Sequence, residues 1–348
     1  MLSQTSTPTI LHQCRSVRYR ETSSQPNMNR RDFLRNSSIS TTAALAAGAL
    51  SAGVSKASAA NQSRAKKHDF KLKYAPHFNM FRNLAGKDPV DQLKFAADRG
   101  FTAWEDNGFK RRPVAEQDRI AEAMRELKME WGVFVAHGSI GKQTFTVRNE
   151  DVWASVLKEI EDSVEVAKRC GFKWMTVVPG NVDESPRSRL EMGYQTANVV
   201  ELLKRCSAIF EPHNLVMVLE PLNWHANHGG VFLERSDQAY SLCKAVNSPA
   251  CKILFDIYHQ QITEGNLIKN IDLSWDEIGY FQIGDNPGRK EPGTGEINYR
   301  NIFKHVHARM KAEGRDFIFG MEHGNSIKGA KGEEAVIAAY ADADNFEA

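Results

Sequence analysis

From Lys71 onward, short apolar runs alternate with longer amphipathic segments about eight times, with no long linker or low-complexity break between them. A strand period that keeps giving way to a helix period predicts parallel strands joined by crossover helices. The strands are expected at 71–79, 101–105, 129–136, 174–178, 215–219, 252–256, 279–283 and 316–321. Leu215 to Leu219 is almost wholly apolar, as a strand covered on both faces requires. Helix boundaries are marked as well. Asp88-Pro89 places a capping carboxylate before a proline at the first helical position, and Gly100 and Gly171 stand where helices should stop. Further helices are expected over 113–128, 151–169, 186–210, 299–313 and 333–344, with another opening near Ser236. Eight such units favour a (β/α)8 TIM barrel over an open doubly wound sheet. No GxGxxG or GxxxxGK[ST] run occurs, so a nucleotide-binding sheet has no sequence support.

Composition narrows the function classes. The 348 residues carry a net charge of +2, with 41% hydrophobic and 25% charged residues. Those values describe a globular protein and give no reason to expect a nucleic-acid partner. The five cysteines form no CxxC pair and no even framework, which argues against a structural zinc site and a disulfide scaffold.

The first 60 residues read differently from the rest. Residues 28–60 combine a basic start, a weakly apolar run rich in Ala, Gly, Ser and Thr, and the small-residue site Ala57-Ser58-Ala59. This is the pattern of a removable signal peptide, too polar to serve as a stable membrane anchor. Arg30-Arg31-Asp32-Phe33-Leu34 resembles the twin-arginine export signal, and Met28 is a candidate start codon. The expected organisation is therefore a leader at 1–60 and one barrel domain at 61–348, exported to the periplasm by the twin-arginine translocase.

In a barrel of this kind the C-terminal strand ends face one shared mouth. Strands five to eight end in Glu220, Asp256, Gln282 and Glu322. Three carboxylates and an amide oxygen are hard donors, suited to Mg²⁺ or Mn²⁺, with Co²⁺ and Zn²⁺ as alternatives. One acid after a strand is usually a cap or a solvated loop residue, but four polar groups at equivalent places form a pattern.

The runs Phe255-Asp256-Ile257-Tyr258-His259-Gln260-Gln261, Glu264-Gly265-Asn266-Leu267, Phe281-Gln282-Ile283 and 287–299 (PGRKEPGTGEINY) resemble the hydroxypyruvate isomerase family of xylose-isomerase-like TIM barrels. That resemblance implies one divalent metal ion held by Glu220, Asp256, Gln282 and Glu322. It also implies that Glu220 and Glu322 act as the acid/base pair. The reaction implied is isomerisation of a small hydroxy-keto acid or sugar through a metal-stabilised enediolate. Epimerase or keto-sugar lyase chemistry at the same site is the alternative, and an apurinic-endonuclease-like nuclease or a non-catalytic sugar-binding barrel is more distant. His259, Arg289 and Glu296 are the substrate-binding candidates, Arg289 because a guanidinium suits a carboxylate or a hydroxyl pair. A homo-oligomer is admitted by the sequence.

Two stretches depart from the family pattern. Pro221 to Gly230 carries Trp224, His225 and His228, which are candidates for lining a sugar site. Glu322 is followed by His323-Gly324-Asn325-Ser326 rather than by an early Lys or Arg. A neutral sugar thereby becomes a candidate beside a carboxylate-bearing substrate.

Overall fold

The computed structural model describes residues 66–185 and 189–347. The expected leader and its twin-arginine run lie outside the described residues. The elements follow in the order β1 (Lys73–Ala75), α1 (Arg82–Ala85), α2 (Pro89–Arg99), β2 (Ala103–Trp104), α3 (Val114–Glu126), β3 (Glu130–Trp131) and β4 (Val133–Gly138). Next come α4 (Glu150–Cys170), β5 (Trp174–Val178), α5 (Met192–Phe210), β6 (Val216–Leu219), α6 (Ser236–Val246) and β7 (Cys251–Asp256). The chain closes with α7 (Ile257–Thr263), α8 (Leu267–Ser274), β8 (Ile278–Gln282), α9 (Tyr299–Glu313), β9 (Ile318–Gly320) and α10 (Gly329–Ala343).

All strand pairings are parallel. Seven strands run in the order β1-β9-β8-β7-β6-β5-β4, and β2 pairs with β3. A bridge from His77 to Glu105 joins the β1 and β2 segments, while β3 and β4 are one expected strand interrupted at Gly132. The result is the α/β barrel expected from eight alternating units. A Cβ at Gly132 would lie 2.4 Å from Tyr280 Oη, so the interruption leaves room for a phenol that crosses the barrel interior. Ala75, Ala103, Val133, Val216, Val218, Leu254, Tyr280 and Ile318 fill that interior, with Trp174 packed against them. A larger apolar layer lies between the sheet and the helices, including Leu93, Ile120, Ile160, Leu202, Leu242 and Val336.

The local signals behave as their chemistry dictates. Asp88 accepts from Val90 N at 2.9 Å and caps α2, which ends at Gly100 in the left-handed region. Two helices begin away from their expected positions. The fifth starts at Met192 rather than near residue 186, because the Asp183 carboxylate holds Leu190 N at 3.0 Å in the preceding turn. The last starts at Gly329, with Glu333 in its second turn bonded to the backbone N–H groups of Asn83 and Leu84. No helix among the described residues is long and apolar enough to cross a membrane.

Candidate active site

The mouth at the C-terminal strand ends contains a cavity of about 330 Å³ whose lining includes Asn107, Thr176, Glu220, His228, His259, Arg289 and Glu322. Glu220 follows β6 directly, Asp256 ends β7, Gln282 ends β8 and Glu322 lies just beyond β9. Parallel strands in register deliver these groups to one level of the barrel. Asp256 pairs across the ladder with Gln282, and Gln282 with Gly320.

Asp256 divides its two oxygens. Oδ1 accepts from the backbone N–H groups of Tyr258 (2.7 Å) and His259 (3.3 Å), capping α7, while Oδ2 is buried without a hydrogen-bond partner. Gln282 is divided in the same manner. Its Nε2 donates to Glu105 Oε1 at 3.0 Å, and its Oε1 is likewise buried and unpartnered. Tyr280 Oη donates to the other Glu105 oxygen at 2.7 Å. Glu105, at the end of the second strand segment, was not singled out by the sequence. A lone acid closing a short strand looks like any loop carboxylate. The available signal was a glycine on each neighbouring path, Gly132 and Gly320. A Cβ at Gly320 would lie 1.9 Å from Glu105 Oε2.

His259 has its tautomer set by its surroundings. Nδ1 receives the backbone N–H of Asn223 at 3.2 Å and lies 2.6 Å from Asn223 Nδ2, so the neutral ring carries its proton on Nε2. Burial holds its pKa well below the ordinary histidine value, keeping the ring neutral. Nε2 lies 3.6 Å from Asp256 Oδ2 and 4.0 Å from Glu220 Oε1. Ligand atoms of Glu220, Asp256 and His259 all fall within 4.8 Å of one another, the one such group among the described residues. With Nδ1 occupied as an acceptor, Nε2–H serves as a donor, and oxygens are left to hold a cation.

Arg289 sits among the acids. Its Nη2 is 2.7 Å from Glu322 Oε2 and 3.6 Å from Asp256 Oδ2, and its guanidinium covers the Tyr258 ring at 5.0 Å. Asn107 Nδ2 donates to the other Glu322 oxygen at 3.0 Å. Glu296 is not among the cavity-lining residues. It is exposed and accepts from Gln261 Nε2 (3.1 Å) and Asn286 Nδ2 (2.5 Å), which makes it a loop brace. Asp285 and Glu291 also organise the loop. Asp285 receives the backbone N–H groups of Gly293, Gly295 and Ile297, and Glu291 receives Ser326 N at 2.9 Å and the Ser326 hydroxyl. In the loop after β6, His228 lines the cavity, whereas the Trp224 indole donates to Val231 O at 2.9 Å. His77 and His137 are engaged elsewhere, His77 with backbone carbonyls and His137 with Glu159 and Thr144.

Electrostatically the site is short of positive charge. Burial raises Glu105 to about 8, Glu322 to about 7, and Glu220 well above the usual carboxylate range; neighbouring acids add to each rise. Asp256 is raised too, chiefly by burial. Unpartnered buried oxygens and destabilised carboxylates are what a site for a divalent cation presents when only its protein part is considered. The donor set, oxygen-rich and anionic, fits a hard divalent cation.

The sequence matches the family described as "Xylose isomerase-like TIM barrel" over residues 93–340. It is 41% identical to hydroxypyruvate isomerase of Escherichia coli K12 over 108 residues, which cover 31% of this chain and 42% of that protein. It is 30% identical to 2-oxo-tetronate isomerase of Pectobacterium atrosepticum over 220 residues, 62% of this chain and 79% of that one. A mouse protein, putative hydroxypyruvate isomerase, is 29% identical over 51% of this chain and 64% of its own length. The chain thus spans less than two thirds of the E. coli and mouse relatives. Among solved structures, 3-keto-D-glucoside 4-epimerase from E. coli superposes with a TM-score of 0.62 at 18% identity, covering 78% of this chain and 98% of the other. A structure titled AP endonuclease, family 2, from Brucella melitensis gives 0.61 at 22% identity, covering 75% and 96%.

Proposed function

The chain belongs to the xylose isomerase-like TIM-barrel family, and on that premise we propose that it is an isomerase of the hydroxypyruvate isomerase type. It would move a proton between neighbouring carbons of a hydroxy-aldehyde or hydroxy-ketone, either a small hydroxy-keto acid or a sugar. The observation that carries this reading is the pair of buried, unpartnered oxygens, Asp256 Oδ2 and Gln282 Oε1, at the ends of neighbouring strands beside the acids Glu220 and Glu322.

Glu220, Asp256, Gln282 and Glu322 would hold one divalent cation, Mg²⁺ or Mn²⁺ by the hardness of their donors. When bound, such a cation supplies positive charge beside the substrate carbonyl and makes the neighbouring C–H more acidic. The chain's own groups do the remaining work. Glu220 and Glu322 line the cavity; one, ionised, removes the proton from the hydroxyl-bearing carbon, the other, protonated, delivers a proton to the neighbouring carbonyl carbon, and the hydroxyl proton passes to the former carbonyl oxygen. His259 Nε2–H donates to a substrate oxygen. Arg289, bonded to Glu322, holds that carboxylate in place and favours its ionised form against the effect of burial. The twin-arginine resemblance in the leader supports export, so the reaction is assigned to the periplasm.

The test is solvent deuterium exchange. The mature chain, supplied with Mn²⁺ in D₂O, should introduce deuterium next to the carbonyl of at least one hydroxy-carbonyl compound. Glu220→Gln should slow that exchange about 10²- to 10⁴-fold. Equal exchange by wild type and variant would remove the basis for the reading. Lys substitutions at Arg30 and Arg31 of the full-length chain should leave the protein in the cytoplasm on fractionation.

A further inference from the structure

Two polar atoms in the cavity wall are not used by the mechanism above. Asn107 Oδ1 and Thr176 Oγ1 are both buried without a hydrogen-bond partner, and both residues line the cavity. They come from different strands, Thr176 from the middle of β5 and Asn107 from just past β2. Leaving such a group unpaired costs about 1–3 kcal/mol, a penalty relieved when a ligand supplies the partner. The Asn107 amide cannot turn freely, because its Nδ2 donates to Glu322 Oε1 at 3.0 Å. Its oxygen is thereby fixed as an acceptor, and an acceptor can be satisfied by a hydroxyl but not by a carboxylate.

Charge points the same way. Glu105, Glu220 and Asp256 are buried acids and Glu322 is half-buried, and the one cation among the described residues lining the cavity, Arg289, is already paired to Glu322 at 2.7 Å and lies 3.6 Å from Asp256. Even a divalent ion with Arg289 does not exceed the negative charge of these acids when all are ionised. A substrate carboxylate would enter as a further uncompensated charge in a desolvated space. Val135, Ile140, Val178 and Leu222 add an apolar wall, against which the C–H face of a sugar can lie. The volume agrees as well. At roughly 30 Å³ per water-sized group, about 330 Å³ holds more than a three-carbon acid fills.

Building on the isomerase reading, we propose that the cavity takes an uncharged polyhydroxy ketone or aldehyde longer than three carbons, with hydroxyls beyond the reacting carbons received by Asn107 and Thr176. Thr176 is the cleaner probe, because its hydroxyl makes no hydrogen bond to the proposed acid/base pair, whereas Asn107 is bonded to Glu322. Replacing it with Val removes an unsatisfied buried hydroxyl and leaves the fold at least as stable.

The experiment compares the Mn²⁺-loaded mature chain on neutral ketoses of four to six carbons, on dihydroxyacetone and on hydroxypyruvate. Deuterium exchange gives kcat and KM, and calorimetry gives equilibrium binding. The expected result is a kcat/KM at least tenfold higher for a longer neutral sugar than for hydroxypyruvate. Thr176→Val should raise KM about 3- to 10-fold for that sugar, the loss of one hydrogen bond, and leave dihydroxyacetone unchanged. Preference for hydroxypyruvate, or an equal effect of Thr176→Val on long and short substrates, would overturn the proposal while leaving the isomerase reading intact. Absence of exchange with every compound would sink the isomerase reading. In that event the binding series still decides the cavity's preference: tighter binding of neutral sugars upholds it and tighter binding of the acid overturns it.

Discussion

The Gln282 amide is held by Glu105: Nε2 donates to Glu105 Oε1 at 3.0 Å, and the amide oxygen is left buried and free of any partner. An amide offers two nearly isosteric faces, and only one of them can bind a cation. Glu105 selects that face by accepting from the other. Outer groups of this kind commonly affect metal affinity 10- to 100-fold.

Glu105→Gln should therefore weaken divalent-cation binding by about 10- to 100-fold. The replacement has one acceptor oxygen for two donors, Tyr280 Oη and Gln282 Nε2. Titration calorimetry with Mn²⁺ reads the change directly; an unaltered affinity would show that the amide needs no such support.

Asp256 allows fold and site to be separated. Asp256→Asn keeps a capping oxygen for Tyr258 and His259 but loses the anionic donor. Thermal stability of the metal-free protein should be nearly unchanged while metal content falls. Asp256→Ala removes both and should cost about 0.5–2 kcal/mol from the lost cap in addition. Metal analysis beside urea unfolding distinguishes the two; retained metal in the Asn variant would contradict the ligand assignment.

Gly320→Ala places a methyl group 1.9 Å from Glu105 Oε2 and 3.1 Å from Gln282 Cγ. Overpacking of this kind costs about 1–3 kcal/mol. Either the carboxylate moves and metal affinity drops with it, or the strand does and the unfolding midpoint falls. A variant with wild-type values for both would show that the Glu105 pocket is looser than its geometry implies.

His137 supplies a pH dependence remote from the proposed ligands. Burial lowers its pKa from 6.5, against the opposing pull of Glu159, whose carboxylate lies 3.0 Å from Nδ1; Lys110 lowers it further. A base whose folded pKa is depressed contributes fully above its unfolded value. Its contribution is lost as pH falls from 6.5 toward the folded value, by at most about 1.4 kcal/mol per pH unit. Urea midpoints measured from pH 7.5 to 5 should fall less steeply for His137→Gln than for wild type. Parallel slopes would assign the acid sensitivity elsewhere.

The barrel was legible because its determinants are local. Apolar strands, helix caps such as Asp88 and helix stops such as Gly100 announce themselves within a few residues. A positional rule about strand ends picks out Glu220, Asp256, Gln282 and Glu322 without any knowledge of contacts, and the structure places all four at or just past the ends of β6 to β9. Glu105 escaped because its role exists only across the barrel, in a carboxylate reached by Tyr280 and Gln282 from a distant strand. Glu296 shows the converse. It stands in the most family-like run of the chain, but in space it braces the loop, because a motif records constraint without saying whether the constraint is chemical or architectural. The fifth helix shows the limit of breaker signals, since a side-chain turn at Asp183 delays a start expected at Pro186.

The loops following β8 and β9 are joined at several points. Glu291 receives both the backbone and the hydroxyl of Ser326, Arg289 O accepts from Gly324 N at 3.2 Å, and Arg289 Nε donates to Glu322 O at 3.2 Å. For anyone transplanting substrate preference between barrels of this kind, these two segments form a single cassette. Exchanging one alone would strand a buried carboxylate at Glu291 and unseat the arginine beside Glu322, whereas moving both together carries the mouth across intact.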